Sequence, residues 1–229
     1  MAARKPPARI ATPRLRTQLD AYEVDGLEDE ERLTDVTLDE QDLSELSAKH
    51  VELSGARLTR CNFGGSDLEK LILVDVVLDH CDLANARWSD ASGTRLAVTS
   101  SRLTGFAGPG LTLQHVTLRD SVLDFSSFRF AKFTKVEFTD CRLQNADFVS
   151  ADLTGTVFRR CDLTAVEFSQ SRASGATFID CRWEATKGIA SLAGAQIANT
   201  SPIDTLAVTI AMASALDITL TDPADHPEA

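Results

Sequence analysis

Residues 141–165 read CRLQN-ADFVS-ADLTG-TVFRR-CDLTA, five consecutive units of five whose third members are Leu143, Phe148, Leu153, Phe158 and Leu163. Extended both ways, the same register from Leu33 to Trp183 covers 31 positions, of which 16 are Leu, 8 are Phe and 2 are Trp. Only Ala48, Gly93, Val98, Gly108 and Ala173 depart from it. The residue two before each centre is usually small or apolar, as at Ala56, Val76, Ala86, Ala146 and Ala151. A spacing of two puts both side chains on one side of an extended chain. A period of five, however, suits neither a continuous strand nor a 3.6-residue helix. The chain must therefore turn after every unit.

A longer period shows how often it closes on itself. Cys61, Cys81, Cys141, Cys161 and Cys181 are separated by multiples of twenty, with Ser101 and Ser121 in the gaps. Four five-residue sides then make one coil, and about eight coils at roughly 4.8 Å each make a rod about 37 Å long. The reading places Phe63, Leu83, Leu143, Phe148, Leu153, Phe158, Leu163 and Phe168 in a continuous core. Stability is then spread along the rod as in other solenoids. Leu96, Phe106 and Leu111, two before their centres, are expected to refill the space lost around Gly93 and Gly108-Pro109-Gly110; the other reading of this stretch is a partner groove. Of the Leu, Phe and Trp between residues 31 and 185, only Phe125 and Phe130 fall in neither inward register.

Units such as Ala151-Asp152-Leu153-Thr154-Gly155, Cys81-Asp82-Leu83-Ala84-Asn85, Cys161-Asp162-Leu163-Thr164-Ala165, Ser66-Asp67-Leu68 and Ala146-Asp147-Phe148 resemble the pentapeptide-repeat family. The resemblance covers about two thirds of the chain. It implies an all-β fold, a right-handed quadrilateral β-helix, over residues 31–199. It also implies a non-enzymatic protein-interaction role. Some members imitate duplex DNA and bind DNA gyrase or topoisomerase IV, affecting quinolone sensitivity, and some pair through C-terminal helices.

The ends depart from the pattern. Residues 1–17 carry five basic and no acidic side chains, and residues 20–45 carry twelve acidic and one basic. Residues 1–30 are expected to form a charged segment, flexible or covering the sheet edge, with Asp20 to Arg32 as a short acidic helix over the first coil. Asp35, Asp39, Glu40, Asp42 and Glu45 are outward residues that would serve a DNA mimic; solubility and edge protection are their expected role. After Trp183 the register slips by one, giving units at 190–194 and 195–199. Ser201-Pro202-Ile203-Asp204 reads as a helix start. The helix, within residues 200–221, would turn Ile203, Leu206, Ala207, Ile210, Ala213 and Leu216 to one side, either capping the last coil or pairing two copies through Leu206 and Ile210. Residues 222–229 read as a disordered tail.

Composition narrows the function classes. The chain has 229 residues, 43% of them hydrophobic and 25% charged, and a formal charge of -11. That balance argues against a general nucleic-acid binder. Residues 46–185 hold 17 acidic and 16 basic side chains, so no strong anionic stripe is expected along the rod. The Thr205 to Leu216 run is too short to span a bilayer, so no membrane partner is expected. Arg4, Lys5, Pro6, Pro7, Arg9, Pro13, Arg14 and Arg16 leave no signal-peptide core, so a cytoplasmic protein with reduced thiols is expected. His50, His80 and His115 take three different corners of the coil, the cysteines form an inward ladder, and Asp79-His80-Cys81 points alternately out and in. No catalytic residue, cofactor or metal site is therefore expected.

Overall fold

The computed structural model describes residues 9–24, 26–198 and 201–215. Its body is a β-solenoid of about nine turns, with every strand pair parallel. Between residues 32 and 179 the register is twenty. Leu73 lies beside Gly93, then Leu113, then Phe133. Leu38, Leu58 and Leu78 stack the same way, as do Phe138, Phe158 and Phe178. The slip after Trp183 is visible as Phe178 pairing with Ile197 instead of residue 198. Nine turns replace the eight counted from sequence because the stretches flanking the regular repeat also contribute outer turns.

The corners explain the period. Among residues 30–185 every fifth residue has a positive φ, 26 of them non-glycine. Such a left-handed residue turns the chain from one side of the coil to the next. Ser66 N–H donates to Phe63 O at 3.1 Å and Ala146 N–H to Leu143 O at 3.0 Å across two of these turns. The Asp or Asn before the centre assists. Asp82 Oδ1 accepts the N–H of Ala84 at 2.9 Å, and Asp162 Oδ1 that of Thr164 at 3.0 Å. These side-chain turns are the local reason for Asp at that position of the unit.

Inside, all eight core residues named above are buried. The C-terminal half is filled by aromatic stacks. Phe138, Phe158 and Phe178 stack at 4.8 and 4.9 Å, and Phe148 meets Phe158 edge-on at 5.9 Å and 89°. Around Gly93 and Gly108 the refilling occurs as expected. A Cβ at Gly93 would lie 2.5 Å from Leu96 Cδ1, and one at Gly108 2.9 Å from Phe106 Cε1. An internal apolar cavity of about 50 Å³ remains there, lined by Trp88, Gly93, Leu96, Phe106 and Leu113 among others. It is core space, so this stretch supplies no partner groove.

The N-terminal segment is ordered differently from the expectation of a free arm and a short helix. Arg16 pairs with Asp35 at 3.1 Å, Arg14 N–H donates to Asp75 Oδ1 at 2.9 Å, and Ala11 N–H donates to His115 Nδ1 at 3.0 Å. Five residues thus cross four coils, about 17 Å of extended chain against about 19 Å of stacked strands. The half-buried Ala11, Pro13 and Leu15 alternate with the exposed Thr12, Arg14 and Arg16, so the strap lies on the rod like a strand across its corners. Asp20–Ala21 then pairs with Val36–Thr37. Val24 and Leu27 pack onto the core beneath the first coil. An open sheet edge there needs donors and a lid, which an irregular coil supplies and a helix would not. Arg4 and Lys5 lie outside the described residues.

At the other end the helix spans Pro202–Ala215, with Asp204 N–H facing Ser201 Oγ at 3.4 Å as its N-cap. Its packed side differs from the expected one. Val208 and Ala213 are buried and Ala207 and Ala211 half-buried, whereas Ile203, Leu206, Ile210 and Met212 are exposed. Ile189 and Leu192 already close the last coil, so the helix seals it with small side chains and leaves its larger ones outside. Leu216, the stretch to 221 and residues 222–229 lie outside the described residues.

Candidate interaction surface

The side chains that could carry chemistry are dispersed. His50, His80 and His115 are each a left-handed corner residue on a separate corner row. His80 Nδ1 faces Asp79 Oδ1 at 3.0 Å, while His115 Nδ1 is occupied by the strap. The five cysteines are buried and unbridged. Each donates backward into the rod's backbone, Cys81 Sγ to Leu58 O and Cys161 Sγ to Phe138 O, both at 3.5 Å. The adjacent Cys61 and Cys141 thiols, with burial second or third in effect, push the Cys81 and Cys161 thiols far above the usual range. Cys81 and Cys161 are thus structural thiols rather than nucleophiles. Among the described residues no group of three or more His, Cys, Asp or Glu is placed to hold a metal.

The charged surface follows the period of twenty. Glu40 is held by Arg60 at 2.8 Å, Asp75 by Arg95 at 2.5 Å, Asp140 by Arg160 at 2.6 Å and Asp152 by Arg172 at 2.9 Å. Asp82 and Arg102 pair likewise. Each arginine, one coil further on, neutralises the carboxylate beneath it. The hydrogen bond from Arg160 holds the Asp140 carboxyl below its ordinary range, and that from Arg95 does the same for Asp75. Apart from the part-buried Asp75–Arg95, these exposed pairs add little stability singly, but all of them remove free negative charge from the outer face.

Two corners break this polar pattern. Phe125 and Phe130 have φ of 57° and 60° and remain 64% and 60% exposed. A bulky residue in the left-handed region costs about 1–2 kcal/mol over glycine, and here it gains no burial in return. They flank one side of the same coil. The same two corners one coil earlier are Gly105 and Gly110, with Ala107 and Pro109 between them. The rings therefore stand beside two glycine corners that the Asn85 and Asp90 side chains approach, with Arg129 on the same side paired to Asp147 at 2.7 Å. The sequence signal was their exclusion from both inward registers. Of the residues expected at a dimer surface, Leu206 and Ile210 are both exposed, and Ile210 edges a cleft between the helix and Trp183 to Thr186 of the last coil.

A family model and several solved structures match this chain. The family model for pentapeptide repeats matches residues 32–70 and 141–178, in 8 copies. No curated protein matches the sequence. Among solved structures, a trypsin-treated form of QnrB1, "a plasmid-mediated fluoroquinolone resistance protein", is 20% identical. The alignment covers 88% of this chain and 99% of that one, with a TM-score of 0.49. HetL from the cyanobacterium Nostoc sp., a pentapeptide-repeat protein involved in heterocyst differentiation regulation, is 15% identical over 73% of this chain and 87% of that one, with a TM-score of 0.26. Among the described residues no helix is long and apolar enough to cross a membrane.

Proposed function

We propose that this chain, a pentapeptide-repeat protein, is a non-enzymatic scaffold that binds a protein partner through the Phe125–Phe130 side of its rod. The observation that carries this reading is the pair of aromatic side chains held outward on left-handed corners. Aromatic anchors of this kind dominate binding energy when a partner covers them, and two on one rigid coil are preorganised at no further ordering cost. A rod built of repeated hydrogen-bonded coils supplies the stiffness.

A DNA-mimicking modulator of gyrase or topoisomerase IV, with the quinolone protection that follows, is the alternative raised by the family resemblance. It requires a run of unpaired carboxylates facing a basic groove. The arginine ladders work against it, since the carboxylates of Glu40, Asp75, Asp82, Asp140 and Asp152 are each already matched. For self-association, the outward Leu206 and Ile210 are the candidate surface, with Ile203 and Met212 beside them.

The test is partner capture by the full chain, with and without Phe125→Asn/Phe130→Asn. Asn tolerates the left-handed corner, so the variant keeps the fold and loses only the rings. Loss of the captured partner at unchanged stability supports the scaffold reading. Capture unchanged by the double variant contradicts it.

A further inference from the structure

On the side of the coil opposite the two exposed phenylalanines, the strap of residues 9–16 covers only part of its corner row. Where it lies, that row offers acceptors, Asp35 to Arg16, Asp75 to the Arg14 N–H and His115 to the Ala11 N–H, with Gly55 and the Asp75-paired Arg95 between them. Beyond His115 the same row continues as Lys135, Gly155 and Gly175. A cation replaces the acceptors, then the side chains vanish. A Cβ built on Gly155 or Gly175 meets nothing within 4 Å. The result is an open groove of about 590 Å³ that begins at Arg9 and Ile10 and runs over Thr117, Lys135, Val157 and Thr177.

Its charge is opposite to that of the protein. Arg9, Arg119, Lys135 and Arg159 line it against the single carboxylate of Glu137. Glu137 is engaged by Thr139 Oγ1 at 3.1 Å and faces Arg159 at 3.7 Å. Among the described residues, neither Arg119 nor Lys135 lies within 4 Å of a carboxylate partner. This is a cationic strip on a chain of net charge -11. The strap shows how an extended peptide crosses the coils, and its own basic character suits the acidic half of the row. The cationic half takes the opposite sign.

We propose that this groove is a docking site for an extended, acidic peptide segment of a partner protein. The segment would continue the line of the strap, its carboxylates meeting Arg119, Lys135 and Arg159 and its backbone passing over Gly155 and Gly175. A nucleic acid would meet the same cations, but its far larger negative charge would be repelled by the acidic remainder of the chain.

The test uses the full-length protein and a fluorescein-labelled alternating Glu-Ser octapeptide, read by anisotropy, with Lys-Ser octapeptide and duplex DNA as comparators. Micromolar binding of the Glu-Ser peptide is expected, weakening as salt rises. The variant Arg119→Gln/Lys135→Asn/Arg159→Gln should lose about tenfold or more in affinity. Gly155→Asn/Gly175→Asn should lose as much with no change in charge, because Asn accepts the left-handed corner but fills the path. Circular dichroism melting confirms that each variant is folded. Absence of binding at about 1 mM peptide overturns the proposal. So does binding indifferent to the two glycines, tighter binding of duplex DNA, or equal binding of the Lys-Ser peptide. Phe125→Asn/Phe130→Asn should leave peptide binding unchanged, so failure here and failure of the scaffold reading are distinguishable.

Discussion

Asp75 and Arg95 form a two-pronged ion pair between successive coils, at 2.6 and 2.5 Å, and the same Asp75 Oδ1 receives the backbone N–H of Arg14 at 2.9 Å. One half-buried carboxylate thus ties two coils together and fastens the N-terminal strap. Its pKa lies below the ordinary value of 3.8, owing first to the Arg95 hydrogen bond. A depressed carboxyl stabilises above its unfolded pKa and loses that contribution as pH falls through the folded one. The pair should therefore hold at neutral pH and fail only below about pH 4. Asp75→Ala should cost about 1–3 kcal/mol and hasten trypsin cleavage at Arg14 and Arg16. Strap cleavage at the wild-type rate would contradict the fastening role.

His115 makes the far end of the strap sensitive at a higher pH. Its Nδ1 must be unprotonated to accept the Ala11 N–H, and burial, then the charges of Lys135 and Arg95, hold its pKa below 6.5. A depressed histidine contributes above the unfolded pKa and loses that contribution as pH falls through its folded pKa. Amide exchange at residues 10–12 should therefore rise as pH drops below about 6.5, after correction for intrinsic rates. His115→Gln should remove that transition. Its persistence in the variant would assign it elsewhere.

The corners give a reversal of the usual rule for glycine. Ala165 has φ 57°, so Ala165→Gly should stabilise the rod by up to about 1 kcal/mol and Ala165→Val should destabilise it. Urea midpoints of the two variants decide the matter. A loss of stability in Ala165→Gly would mean that the corner carries no left-handed penalty.

The core permits a compensating exchange. Leu96 packs over Gly93, so Leu96→Ala should cost about 2–5 kcal/mol. Adding Gly93→Leu restores a centre to its ordinary place and should recover part of that loss as a favourable coupling. Additive destabilisation would contradict the view that Leu96 refills the missing centre.

These cases show what the linear chain carries. The inward rows were legible because every centre from Leu33 to Trp183 answers the same requirement, burial against a copy of itself one coil away. The cysteine spacing disclosed the coil length for the same reason. Lys135, Gly155 and Gly175 looked unremarkable because a corner row is read along the rod, at intervals of twenty, and becomes a groove only when the strap walls it. The strap itself had a faint signal in Ala11, Pro13 and Leu15, hidden under the basic charge of its neighbours. The helix was placed correctly by Ser201 and Pro202, but its packed face depended on how Ile189 and Leu192 close the last coil, which no helical periodicity records.

Self-association is tested by Ile210→Asp. Ile210 is 51% exposed, so the substitution should leave thermal stability within about 0.5 kcal/mol. Sedimentation should show a dimer for the wild type and a monomer for the variant. A monomeric wild type would remove the helix from the interaction surface.

The most direct test of the central claim is quantitative partner capture by the full-length protein and by Phe125→Asn/Phe130→Asn, at low and high salt, alongside supercoiling by purified gyrase titrated with each. The account predicts a partner held about equally at both salt concentrations, lost by the double variant, and no effect on gyrase. Capture that survives the double variant but collapses with salt, together with inhibition of supercoiling, would contradict it and identify a DNA mimic.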